Sequence, residues 1–128
     1  MAEFEERSLS GNYNEIIMDI VNRGFLSVTP KEAFWNWSNQ LNEEGMEFNV
    51  EDDIEPTVYL ITEDFFDEGP IIEQHFKKIF KNELTVVTDN EEFWPKEITM
   101  ELFLDWFEIK LGSMVFDLEK SNLVGEKI

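Results

Sequence analysis

The stretch "TMELFLDWFE", Thr99 to Glu108, restricts the fold more than any other. At about 100° per residue, Met100, Leu102, Phe103, Leu104, Trp106 and Phe107 fan over roughly 200° of a helical wheel. Glu101, Asp105 and Glu108 fill the rest. A helix lying on a protein surface needs an apolar stripe about half as wide. This helix is therefore expected to be covered on two sides, by a sheet and by another helix. Thr99 is a natural N-cap. Core positions are expected for Leu102, Phe103 and Trp106. Exposure of Met100, Leu104 or Phe107 would mark a dimer or partner surface.

The rest of the chain supplies the covering elements. "YNEIIMDIVNR", Tyr13 to Arg23, spaces its apolar residues as a helix would, with Gly24 as the stop. "FLSV", 25–28, reads as a connector or short strand. In "TPKE", Thr29 can cap, Pro30 suits the first helical position and Glu32 completes a capping box. That predicts a helix to Glu44 with a stripe of Ala33, Phe34, Trp37 and Leu41, leaving Trp35 off the stripe. "TVYLI", 57–61, is β-branched and apolar on both faces, as a central strand would be. "PIIEQHFKKIFKN" from Pro70 is the clearest amphipathic helix, with Ile71, Ile72, His75, Phe76, Ile79 and Phe80 inward. "ELTVVT", 83–88, reads as a strand and "DNEEFWP" as a turn. In "IKLGSMVFDLE" the two-residue apolar phase changes at Gly112–Ser113, which suggests a β-bulge or sharp bend there. Residues 1–12 and 121–128 read as loosely ordered ends. The expectation is a single compact α+β domain over 1–128, with about four helices packed on a small sheet of two to four strands.

Composition narrows the chemistry. The 128 residues include no cysteine, so disulfides, zinc ribbons, iron–sulfur sites and thiol nucleophiles are excluded. No signal peptide or membrane-spanning run is apparent, and a cytoplasmic location is expected. The serines avoid the G-x-S-x-G elbow and no glycine-rich phosphate loop occurs. "DFFDEG", 64–69, has Asp and Gly where a calcium loop would, but Phe66 stands where an oxygen ligand is required. No cofactor and no metal are expected. His75 is the only histidine. On the stripe of an amphipathic helix it reads as a buried, hydrogen-bonded group at the core edge.

The charge layout is the sharper signal. Formal net charge is −19, from 29 acidic and 10 basic residues. Between Lys31 and Lys77 no lysine or arginine occurs, while Glu51, Asp52, Asp53, Glu55, Glu63, Asp64, Asp67 and Glu68 are among the acids that fill the interval. Like charges without counter-charges repel and cost stability. A basic partner would offset that cost, although an acidic surface also simply keeps proteins soluble. Phe65 and Phe66 lie inside the acidic loop, either docking a partner or pinning the loop to the core.

The segment Trp94 to Leu118, "WP…MELFLDWFEI…SMVFDL", resembles a stretch found in small acidic bacterial proteins without an assigned activity. The resemblance implies no catalytic or binding residues.

Two functions follow as expectations. The first is a non-enzymatic interaction or inhibitor-type protein, immunity-like or DNA-mimic-like, docking a basic partner through an acidic face. Its candidate contacts are Trp35, Glu51, Asp52, Asp53, Glu55, Glu63, Asp64, Phe65, Phe66, Asp67 and Glu68. Direct nucleic-acid and membrane binding are disfavoured by the charge, and a homodimer is allowed. The alternative is a small-ligand binder or hydrolase with a pocket of Trp35, Trp94 and Trp106 that uses His75.

Overall fold

The computed structural model describes residues 18–41 and 55–128. Its centre is β2, Gly24–Pro30, flanked on one side by β3, Thr57–Ile61, and on the other by β4, Phe107–Gly112, both antiparallel. Leu26 and Val28 point to one face and are fully buried. Their neighbours across the ladders, Tyr59, Ile109 and Leu111, share that face. Each of these inward aliphatic side chains stabilises the fold by about 1.5–3 kcal/mol when fully buried.

Three α-helices accompany the sheet in the described residues: α1, Glu32–Gln40; α2, Glu68–Thr85; and α3, Met100–Trp106. α3 packs against α1 and α2 and runs directly into β4, so its wide apolar sector is covered from two sides, by two helices where a sheet and one helix were expected. Thr99 caps it, its Oγ1 accepting from the Leu102 N–H at 3.1 Å. The other end is tied by Lys31, whose N–H donates to the Trp106 carbonyl at 2.8 Å and whose ammonium reaches the Leu104 carbonyl. A cation at a helix C-terminus is the arrangement the helix dipole favours. Phe34, Phe80, Phe103, Trp106 and Phe107 meet where these elements converge, with Phe80–Phe103 and Phe103–Phe107 ring centres 5.7 and 5.4 Å apart.

Several expectations change. Asp19–Val21 is a strand, β1, not helix; it pairs with β5, Val115–Asp117. Its β-branched residues and available strand partner override the helical spacing, while residues 13–17 lie outside the described ones. "FLSV" is the interior of the central strand, and "TVYLI" is an edge of the three-stranded sheet with Val58 and Leu60 exposed. Thr29 and Pro30 extend β2, so α1 starts after Lys31 without a side-chain cap. Its buried residues are Phe34, Trp35 and Ser38, a stripe turned toward Trp35. The strand expected at 83–88 is absent: α2 runs through Thr85, because Leu84 and Val87 follow Phe80 at helical spacing and prolong its buried stripe. Where about four helices were expected, the described residues form three, with a 3-10 turn at Glu91–Phe93.

The bend expected at Gly112–Ser113 is present at Ser113, between the end of β4 and the start of β5. β2 pairs Phe25 with Gly112, and β1 pairs Val21 with Val115. Three residues, Asn22 to Gly24, therefore face two, Ser113 and Met114, and the extra residue sits opposite the predicted place. Gly24 is required at this crowded point. A Cβ there would meet the Gly112 carbonyl oxygen at 2.6 Å and the Thr62 carbonyl oxygen at 2.9 Å. Beyond the bulge, Ile20, Met114, Phe116 and Leu118 are exposed.

Candidate functional site

The loop between β3 and α2 carries the clearest surface signal. The Thr62 hydroxyl accepts from the Asp64 N–H at 3.2 Å, a local turn that starts the loop. The two phenylalanines then separate. Phe65 packs against the core and pins the loop. Phe66 is fully exposed. Glu63, Asp64, Asp67 and Glu68 around it are exposed as well, and none meets a cation among the described residues. Asp67 and Glu68 stand at the start of α2, where negative charge is favoured by the helix dipole.

The remaining candidate contacts do not join this group. Glu55 is exposed but lies before β3, while Glu63 follows it, so a strand about 17 Å long stands between them. Glu51, Asp52 and Asp53 fall outside the described residues. Trp35 is 5 % exposed and packs edge-on against Phe34 at 5.2 Å, so it belongs to the core and not to an outer face.

A second acidic surface was not singled out from sequence. Glu97, Glu101 and Asp105 border an open hollow of about 690 Å³ beside Leu104, which is 42 % exposed. Helical spacing of Glu101 and Asp105 was the available clue. Met100 is partly covered and Phe107 is buried, so only Leu104 of the expected apolar edge reaches solvent.

His75 occupies a different place from that expected. It is partly buried, its imidazole has no hydrogen-bond partner among the described residues, and it lines a cleft of about 560 Å³ between β3 and α2. Tyr59, Ile61, Lys78, Ile79, Lys81 and Asn82 also border that cleft. None of the three tryptophans of the hydrolase expectation does. Trp106 stacks with Trp37 and Phe80, and the Trp94 indole N–H donates to the Thr88 carbonyl at 2.9 Å. No serine borders the cleft, so His75 has no hydroxyl nucleophile there of the kind a serine hydrolase uses.

Behind the cleft is a polar knot. The Tyr59 hydroxyl donates to Glu83 Oε2 at 2.5 Å and accepts from Asn82 Nδ2 at 2.9 Å. Glu83 is 4 % exposed. Burial holds its carboxyl above the usual carboxylate range, with hydrogen bonds from Tyr59 and Thr57 pulling partly back. Burial likewise raises the Tyr59 phenol, so this hydroxyl keeps its proton and remains a donor. The knot fixes α2 to β3, and Glu83 is not among the residues that border the cleft.

Among the described residues no three acidic or histidine side chains are grouped to hold a metal, and no helix is long and apolar enough to cross a membrane. No protein-family model, curated protein or solved structure matches the chain.

Proposed function

We propose that the protein is a non-enzymatic interaction module that docks a basic partner through the loop between β3 and α2. One observation carries this reading: Phe66 stands fully exposed among four exposed carboxylates that have no cationic neighbour in the described residues. A lone exposed phenylalanine loses nothing by inserting into a partner's apolar recess. The surrounding carboxylates would meet lysine or arginine at the rim, speeding association and favouring basic partners. The net charge of −19 extends that attraction over distance and repels nucleic-acid phosphate. An inhibitor of the immunity or DNA-mimic kind would use such a face.

The test compares variants on partners retained from the native cell at low salt. Phe66→Ala and the combined Glu63→Gln, Asp64→Asn, Asp67→Asn, Glu68→Gln form should each lose a partner that the wild type retains. A Glu101→Gln, Asp105→Asn form should keep it. Equal retention by all forms would refute the loop as the docking site.

Self-association has a separate basis. Ile20 in β1 and Phe116 in β5, directly opposite one another, are exposed, as are Met18, Met114 and Leu118 immediately flanking the two strands. A two-stranded ribbon is marginal in water without cover. A second copy would meet the protein here, and not at the single exposed Leu104 of α3.

A further inference from the structure

We infer that the cleft between β3 and α2 binds an amphiphilic anion, with an aliphatic chain over Tyr59, Ile61 and Ile79 and a carboxylate head on Lys78 and Lys81. The inference concerns a different surface from the acidic loop and does not rest on the docking proposal. Its first support is shape. At about 560 Å³ the cleft falls in the range of small-ligand sites, and it is an apolar trough with a few polar groups at its rim. His75, Lys78, Ile79 and Asn82 follow one another at helical spacing, so one face of α2 forms one wall. The edge strand β3 forms the other.

Its second support is charge. Acidic residues outnumber basic ones 29 to 10 in the chain, yet among the described residues no acidic side chain borders this cleft, while Lys78, Lys81 and His75 do. The acid nearest in sequence, Glu83, is buried and engaged by the Tyr59 hydroxyl. A cation would therefore meet no acidic side chain among the described residues of the cleft, and a neutral chain would leave the lysines unused. Each lysine can lay its methylene stem along the apolar wall and present the ammonium at the mouth. Ile128 also borders the cleft.

Calorimetric titration of the full chain with decanoate, below its micellar range, tests this. Decanoate should bind at one site per chain, at least about tenfold more tightly than decyltrimethylammonium, as charge-assisted contacts to lysine require. The Lys78→Gln, Lys81→Gln form should lose about tenfold in decanoate affinity. Both lysines are exposed, so its thermal unfolding should match the wild type. Phe116→Ser should leave decanoate binding unchanged. Failure of decanoate to bind, equal binding of the two amphiphiles, an unaffected lysine variant, or loss on Phe116→Ser would each overturn the assignment.

Discussion

Two short stretches of this chain look alike. "DFFDE", Asp64 to Glu68, and "DWFE", Asp105 to Glu108, each place two adjacent aromatics between acidic residues. In the second, Trp106 ends α3 and Phe107 opens β4, and the change of backbone direction turns both rings inward. Phe107 contacts Phe34, Phe80 and Phe103, while Trp106 contacts Trp37 and Phe80. In the first, a loop residue and its neighbour point oppositely, Phe65 to the core and Phe66 to solvent. Here the change from helix to strand between Trp106 and Phe107 lets both neighbours face the interior, whereas the loop carries Phe65 inward and Phe66 outward. The same composition therefore yields structure in one place and a surface in the other.

The comparison can be broken most decisively at Phe103, which is fully buried between Phe76, Phe80 and Phe107. Phe103→Ala should destabilise by about 3–5 kcal/mol in denaturant unfolding. Phe66→Ala should stay within about 0.5 kcal/mol of the wild type. Equal losses would mean that Phe66 is structural after all.

The knot between the two regions gives a smaller effect. Glu83→Leu leaves the buried Tyr59 hydroxyl without its acceptor and should cost about 1–3 kcal/mol. Glu83→Gln keeps an acceptor for Tyr59 and adds a pH signature. Because the folded-state carboxyl of Glu83 lies above its usual range, the folded protein binds more protons than the unfolded chain between the two values. The stability contribution of Glu83 is therefore fully present below the ordinary carboxylate value and is lost as pH rises through the raised one. The wild type should lose ground to Glu83→Gln over that rise. A difference that stays constant with pH would show that Glu83 is not held in this way.

Two local substitutions complete the series. Thr99→Ala removes the α3 cap and should cost about 1 kcal/mol, seen as a lower melting temperature. Ser38 Oγ is buried without a hydrogen-bond partner among the described residues. Ser38→Ala should leave the melting temperature unchanged or raise it slightly, since it removes a dehydrated hydroxyl. A loss of stability there would reveal a bond to Ser38.

Local signals carried far into the structure. Thr99 caps α3, the 70–82 stripe lies in α2, and residues 57–61 form a strand, because each depends on neighbours within a turn or a strand length. Residues 19–21 and 83–88 misled for the opposite reason. Their local patterns suited either state. β5 drew the first into a ladder, and the buried ends of α2 kept Glu83 and Leu84 helical. Of the candidate contacts, the exposure of Glu63, Asp64, Asp67 and Glu68 follows from charge. The division between Phe65 and Phe66 does not, since either ring could have pinned the loop.

The sequence by itself determined an acidic, cysteine-free α+β chain with a helix too apolar to stand at a surface. Only the tertiary structure decided that β2 is central, that Trp35 lies inside, that Phe66 lies outside, and that two lysines and His75 border one cleft. Charge and periodicity are sums over neighbours in the chain. Burial and juxtaposition depend on contacts between residues far apart in it, and those exist only once the sheet and helices have closed on one another.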